Sequence, residues 1–404
     1  METPQAHPRG RTGGRTGRYR SHHARRHSAQ RRPCHRRSAT RRRAGVARLR
    51  RHPPAHLAGG VPGDRCRLDV SRDRAATHGT IRPHHRPKDV HVGTLLGRVE
   101  ALQSGITTLL DWCHCTDTTA HGDAALDALC QAPGRSVCCY GVGIGTAGPV
   151  AAELARMRGQ VPDDSALVTL ALGLRGPQIT SMETTAADVA AARDLGLRVS
   201  MRVHVRSGAA QGRRPVAALR EHGLLDERTT FVHGNGLDDD ELTMMADAGC
   251  SVSISPEVEP KMGFGRPETG RTLAAGIRPT LSIDDCPSAG GDMFSTMRTT
   301  LSVQRGRDTV HGRPPSLTAR DVVEFASIDG ARALGLGDQV GSIPQGKQAD
   351  LVLLRTDAVT FNSMYLITRP SRRKGWRRYY CAGIPGLHNG QRPSAQQSDP
   401  ACVQ

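Results

Sequence analysis

Three polar residues in this chain stand where short apolar segments end. His204, His233 and Asp284 close the segments VSMRVH, TFVH and TLSID, which are typical of buried strands. Because the carboxyl ends of barrel strands converge on one site, two imidazoles and a carboxylate at those ends suit a divalent ion such as Zn²⁺ or Fe²⁺. The alternative is that each residue is an isolated polar group with structural partners. The pattern favours the first interpretation, a metal site formed by His204, His233 and Asp284.

The elements that must position these residues alternate along the chain between strands and amphipathic helices. The predicted strands cover residues 106–112, 167–174, 199–205, 229–233, 250–255 and 278–284, and the predicted helices cover 90–104, 185–195, 214–222, 238–248 and 318–334. Asp238 is a predicted N-cap and Gly249 a predicted helix stop. Six or more successive β–α units favour a (β/α) barrel over a doubly wound sheet.

The charge of the chain is concentrated in its first residues. Lys and Arg outnumber Asp and Glu by 56 to 38, and residues 1–63 alone hold 17 Arg and one acid. Such a tail would bind nucleic acid in a salt-sensitive way, but Tyr19 is its only aromatic residue for base stacking, so this function is disfavoured. The sequence has no apolar run long enough for a membrane span and no secretory signal. Eleven irregularly spaced Cys are typical of reduced thiols, which predicts a cytoplasmic protein.

Five motifs make the chain similar to a known family. They are FVHGN from Phe231, SISPEVE from Ser253, LSID from Leu281, GDMF from Gly291 and GSIPQGKQADLV from Gly341. Together they resemble the amidohydrolase superfamily, within it the branch of cytosine deaminases and chlorohydrolases. The resemblance covers residues 79–357. It implies a metal-dependent (β/α)8 TIM barrel with a small β-sandwich domain and hydrolysis of C–N or C–Cl bonds in heterocycles.

The resemblance also implies roles for the three polar residues. His204 is similar to the strand-five metal ligand, His233 to the strand-six histidine that binds metal or orients water, and Asp284 to the strand-eight aspartate that binds metal and accepts the water's proton. His233 and Asp284 are therefore the predicted catalytic residues. The chain departs from the pattern at Ser207, where the branch has a Glu, and a shifted alignment would place Arg202 at the strand-five position.

A graver departure is that the His-x-His pair of the family's first strand occurs nowhere in the chain. Permitted codons for residues 48–70, read from two nucleotides earlier, can spell PGFVDTHRHTWQAVFRGIAADWT, which contains that pair. Residues 371–382 can likewise be reread as VEAERVETVLLR. We therefore hypothesise that residues 1–77 and those after about 360 are translated out of frame.

The predicted organisation has four segments. Residues 1–77 are an Arg-rich segment, 78–335 an amidohydrolase barrel incomplete at its first strand, 336–360 a remnant of the sandwich domain, and 361–404 an irregular tail. The predicted function is metal-dependent C–N or C–Cl hydrolysis of a small cyclic amidine, azine or nucleobase-like substrate, with Zn²⁺ in a site that lacks ligands. The alternatives are an inactive pseudoenzyme and a nucleic-acid-binding protein. Homo-oligomer formation is compatible with the sequence, and a membrane partner is not.

Overall fold

The structure is a computed structural model that describes residues 74–141, 150–161, 164–203, 214–285 and 288–352. All of them belong to the compact unit that spans residues 51–404. His204 and Ser207 lie outside the described residues, and so do nearly all of the segments hypothesised to be out of frame. The four segment boundaries and the frame hypothesis therefore stay predictions.

The described residues form seven strands in one parallel sheet. The strands are β1 (Thr108–Cys113), β2 (Arg135–Gly141), β3 (Val168–Leu174), β4 (Arg198–Val203), β5 (Thr229–His233), β6 (Ser251–Ile254) and β7 (Thr280–Leu281). Their order in the sheet is their order in the chain, and every neighbouring pair is parallel. This order is that of a (β/α) barrel, whereas a doubly wound sheet reverses its strand order. The barrel is incomplete as predicted, since β1 and β7 are not paired with each other in this part of the chain.

Helices follow the strands and cover the outer face of the sheet. They are α1 (Pro87–Gln103), α2 (Thr119–Gln131), α3 (Ala151–Gln160), α4 (Met182–Asp194), α5 (Pro215–Glu221), α6 (Asp239–Asp247), α7 (Val258–Lys261), α8 (Thr269–Ala274), α9 (Met293–Val310), α10 (Ala319–Phe325) and α11 (Ile328–Ala333). A π-helical segment, Arg74–Ile81, and a 3₁₀ turn, Arg82–His84, precede them. None of the helices in the described ranges has the length and apolar character needed to cross a bilayer.

Several predicted elements agree closely with the structure and a few do not. β5 has the predicted bounds, Asp238 is the N-cap of α6, and Gly249 stops that helix with a φ of 69°. The predicted helix 318–334 is instead two helices, because Ser327 leaves helical geometry and its hydroxyl donates to the carbonyl of Val323. The predicted strand 278–284 is paired only at Thr280–Leu281.

The two faces of the sheet differ in what they bury. Leu170, Leu172 and Leu174 pack with the helices in the main apolar core. Ala171, between them, points inward and packs with residues of α11 and the segment after it. The carbonyl of Ala333 accepts hydrogen bonds from Arg198 Nε at 3.0 Å and Thr230 Oγ1 at 3.2 Å. Because Arg198 and Thr230 lie in the first two residues of β4 and β5, α11 closes the amino-terminal end of the barrel and leaves the carboxyl end for a site.

Candidate active site

Two of the three predicted site residues meet at the carboxyl end of the barrel. His233 is the last residue of β5, and Asp284 follows β7 by three residues. His233 Nε2 lies 3.8 Å from Asp284 Oδ2, the imidazole is buried, and 12 % of the Asp284 side chain is exposed. The pair is therefore shielded on the histidine side and reachable from solvent on the carboxylate side. Whether these residues bind metal or transfer protons stays a prediction.

Both residues owe their direction to left-handed backbone conformations. His233 has a φ of 77° and Asp284 a φ of 50°, and they are the only described residues other than Gly with positive φ. Strand alternation would place His233 on the same face as Phe231, which packs in the sheet–helix core. The left-handed φ breaks this alternation at the strand end. Backbone strain of this kind is uncommon outside functional sites and is consistent with a site that requires this geometry.

Glu259 fixes the His233 ring from the side opposite Asp284. Its Oε1 lies 3.3 Å from His233 Nδ1 and accepts a hydrogen bond from the Ser255 amide at 2.7 Å, and its Oε2 accepts one from Asn235 Nδ2 at 3.3 Å. Glu259 is fully buried. Because Glu259 lies against Nδ1, Nε2 is the nitrogen that faces Asp284.

Arg202 occupies the inner face of β4 near this pair. Its neighbours Met201 and Val203 belong to the sheet–helix core, so strand alternation directs Arg202 inward. Arg202 Nη2 lies 3.2 Å from Asp284 Oδ1. The two Asp284 oxygens therefore have different neighbours, the guanidinium at Oδ1 and the imidazole at Oδ2. His204 lies outside the described ranges, so its role as a ligand stays a prediction.

Trp112, on β1, supports Arg202. The Arg202 Cζ atom lies 5.5 Å from the centroid of the Trp112 ring, which also stacks on His114 at 5.7 Å. The indole lies over Gly141 and Gly173, where an added Cβ would come within 2.7 Å of its Nε1 atom. Two residues without side chains thus make the space for this ring, and the ring in turn supports the guanidinium.

Three buried cysteines of the β1–β2 region are weak nucleophiles at neutral pH. Burial raises the pKa of Cys115 to about 12, and it raises the pKa of Cys113 and Cys139 well above the usual value. Because the thiolate is the form that attacks carbon, burial disfavours these thiols as nucleophiles near neutral pH. The six cysteines in the described part of the chain are free.

The metal site implied by the sequence resemblance is not completed by these residues. His233 Nε2 and Asp284 Oδ2 are close enough to share one ion, since zinc ligands lie about 2.0–2.2 Å from the metal. Catalytic zinc sites use three protein ligands, however, and no group of three His, Cys, Asp or Glu in the described ranges could hold an ion. A guanidinium also lies against Asp284. The described residues therefore do not fit the implied metal.

Sequence reasoning missed the part of the site that depends on long-range contacts. Glu259 was present in the SISPEVE motif but received no role, and its contact with His233 joins residues that are 26 positions apart. Arg202 was predicted only as an alternative residue at the strand-five ligand position. Its positive charge could have indicated an ion pair with the predicted carboxylate of Asp284. Trp112 gave no signal, because its place depends on glycines in two other strands.

Curated relatives of the chain are deaminases of adenosine derivatives. The 5-methylthioadenosine/S-adenosylhomocysteine deaminase of Moorella thermoacetica is 29 % identical over 278 residues, which are 66 % of this chain and 63 % of that protein. The 5'-deoxyadenosine deaminase of Methanothermobacter thermautotrophicus is 30 % identical over 278 residues, which are 66 % and 62 % of the two chains. The matched part therefore spans less than two thirds of these relatives.

Two solved structures with the same fold contain bound zinc. An adenosine deaminase from Xanthomonas campestris with bound zinc has a TM-score of 0.67 and 26 % identity, and the match covers 78 % of this chain and 73 % of that one. Atrazine chlorohydrolase from Arthrobacter aurescens, complexed with zinc, has a TM-score of 0.61 at 21 % identity, covering 74 % and 72 %, and shows the fold alone. The model of the Amidohydrolase family matches residues 67–372. The chain thus belongs to the amidohydrolase family.

Proposed function

We propose that this protein hydrolyses a C–N bond in a nucleobase-like heterocycle and that the His233–Asp284 pair is its acid–base centre. The observation that carries the proposal is the 3.8 Å approach of His233 Nε2 to Asp284 Oδ2, with Glu259 holding the ring from behind. A carboxylate that water can reach, next to an imidazole fixed in one orientation, is an arrangement suited to moving protons during hydrolysis.

The chemistry assigned to these residues is a water addition followed by loss of an amine. Asp284 Oδ2 accepts a proton from the attacking water as its oxygen bonds to the ring carbon. Asp284 delivers that proton to the ring nitrogen, which takes up the electron pair of the C=N bond. It then carries the proton of the new hydroxyl to the exocyclic nitrogen, the C–N bond breaks, ammonia leaves, and a ring carbonyl remains. His233 orients the attacking water through Nε2. Because the described residues do not fit a metal, no step here depends on one.

The substrate class is supported by the curated relatives. Two of them are named as deaminases of 5-methylthioadenosine, S-adenosylhomocysteine or 5'-deoxyadenosine, which share a 6-aminopurine ring. The amino group of that ring is attached to an amidine-type carbon, the kind of C–N bond that the proposed water addition breaks. We therefore propose a 6-aminopurine nucleoside as substrate, with an aminopyrimidine and a chlorotriazine as the comparison compounds.

The experiment measures ammonia release from 5'-deoxyadenosine and 5-methylthioadenosine by the full chain, with and without added Zn²⁺. The variant Asp284→Asn should lower the rate by about 10²–10⁴-fold, since it removes the proton acceptor. Asp247→Asn is the matched control, because Asp247 is the last residue of α6 and 61 % of its side chain is exposed. Equal rates for the wild type and Asp284→Asn would contradict the proposal.

A second candidate function is ligand binding without turnover. Two observations favour it, the contact of Arg202 with Asp284 and the absence of a His-x-His pair from the sequence. In that case 5'-deoxyadenosine would bind saturably in a calorimeter, Asp284→Asn would weaken binding, and no ammonia would be released. The same two proteins and the same compounds therefore separate the two functions.

A further inference from the structure

We propose that the Arg202 guanidinium is the resident cation of this active site and that its charge opposes binding of a divalent ion by His233 and Asp284. The inference rests on the site of the proposed function and concerns what sets its affinity for metal. It starts from the mismatch between the implied metal and the described residues. Its tests measure zinc binding directly, so they do not depend on turnover.

The position of Arg202 is set by the strand that carries it. In the β4–β5 register, Arg202 is the partner of Val232, the residue before His233. Its side chain therefore leaves the inner face of the sheet one residue before the level of the histidine. A residue that entered this site from a loop would have no such fixed register.

Contacts from one other strand and one strand end hold the guanidinium in place. Asp284, beyond β7, lies 3.2 Å from Nη2, and Trp112 of β1 lies beneath the Cζ atom at 5.5 Å. Gly141 and Gly173 leave the space that the indole occupies. The side chain of Arg202 is 36 % exposed, so its charge is partly removed from water. Ion pairing and aromatic contact both favour this placement of a guanidinium.

This placement conflicts with a metal ion on physical grounds. An ion bound by His233 Nε2 and Asp284 Oδ2 would lie about 2 Å from each atom, next to the carboxylate whose other oxygen contacts Arg202. Two positive centres would then share one carboxylate at short range, where like charges repel strongly and water screens them poorly. Removing the charge of Arg202 should therefore strengthen metal binding, even though no ligand has been added.

The test is a zinc titration of the full chain at pH 7, in competition with a chromophoric chelator. Arg202→Met keeps an apolar stem on Trp112 and removes the charge, and it should bind Zn²⁺ at least about tenfold more tightly than the wild type, a change of about 1.4 kcal/mol. Arg202→Lys keeps the charge and is the matched control, with the wild-type affinity expected. Arg202→His adds an imidazole on the inner face and should bind more tightly than Arg202→Met.

Two further variants serve as controls. One shows where the additional zinc binds, and the other replaces Arg202→Met if that variant does not fold. The double variant Arg202→Met/Asp284→Asn should lose the gain, and a gain that persists would place the zinc elsewhere and overturn the inference. Arg202→Gln repeats the measurement if circular dichroism shows that Arg202→Met is unfolded. Equal zinc affinity in the wild type and the uncharged variants, or tight binding by Arg202→Lys, would also overturn it. Absence of ammonia release would count against the proposed function and leave these affinities unchanged.

Discussion

The two parts of the barrel sheet, β1–β3 and β4–β7, place different kinds of residue at the carboxyl end. The later part supplies Arg202, His233 and Asp284, and the buried Glu259 follows β6. The earlier part supplies an indole, two glycines and thiols that burial keeps protonated. The charged and imidazole side chains thus lie on one side of the site, and the residues that shape its space lie on the other. The asymmetry agrees with a chain whose sequence lacks the first-strand histidines that the resemblance implies next to β1.

The largest of the three effects expected here concerns the polar side of the site, formed by β4–β7. Glu259→Gln weakens the contact that orients His233, so turnover of 5'-deoxyadenosine should fall about 10–100-fold while KM changes little. Glu257→Gln, in the same segment, is the control and should keep the wild-type rate. Steady-state kinetics of the three proteins check the prediction. A fall in turnover that is matched by a similar loss in Glu257→Gln would show that the segment matters only for folding.

An intermediate effect is expected on the β1–β3 side, where glycines leave space for the Trp112 ring. Gly173→Ala should lower the free energy of unfolding by about 1–3 kcal/mol, because its Cβ would lie 2.7 Å from the Trp112 ring nitrogen. The loss should shrink but not vanish in a Trp112→Leu background, because the added Cβ would still lie 2.9 Å from Gly141 Cα. Urea denaturation of the four proteins in this cycle gives the coupling. Gly159→Ala, in the open on α3, should not destabilise, and equal losses from Gly173→Ala in both backgrounds would show that the indole is not the obstacle.

The smallest effect concerns the buried thiols. Because burial raises the pKa of Cys115 to about 12, its thiolate fraction stays small between pH 7 and pH 9, and alkylation of the native protein should be negligible. Cys130 is exposed and should be alkylated faster as the pH rises. Peptide mapping after iodoacetamide treatment measures both sites. Labelling of native Cys115 at the rate of Cys130 would show that the β1–β3 side presents a reactive thiolate. The proposed difference between the β1–β3 and β4–β7 sides would then be wrong.

The fold was predictable where local pattern and packing agree. β5 and α6 combine a β-branched run with a helix whose first turn is acidic, and both appear close to their predicted places. β2 was missed, although all seven of its residues are buried, because its RSVCCYG sequence has no alternation and few β-branched residues. Buried Cys behaves as a small apolar residue, which sequence patterns represent poorly.

The site was predictable only as far as strand ends define it. His233 and Asp284 could be placed together because parallel strands converge at their carboxyl ends. Their left-handed φ values, and the contacts from Glu259 and Arg202, follow from tertiary packing and have no local signal. The indole position depends on glycines 29 and 61 residues after Trp112 in the sequence. These contacts between distant residues form only when the sheet has curled.

The carbonyl of Ala333 has a consequence for the order of folding during synthesis. Its hydrogen bonds reach back to Arg198 and Thr230, across 135 and 103 residues of sequence. Contacts this distant close long loops, and they form slowly compared with local helices. While residues before 333 emerge from the ribosome, the amino-terminal end of the barrel lacks its cover and exposes apolar inner-face side chains. Ribosome-bound chains that stop before residue 333 should therefore require chaperones more than chains that extend past it.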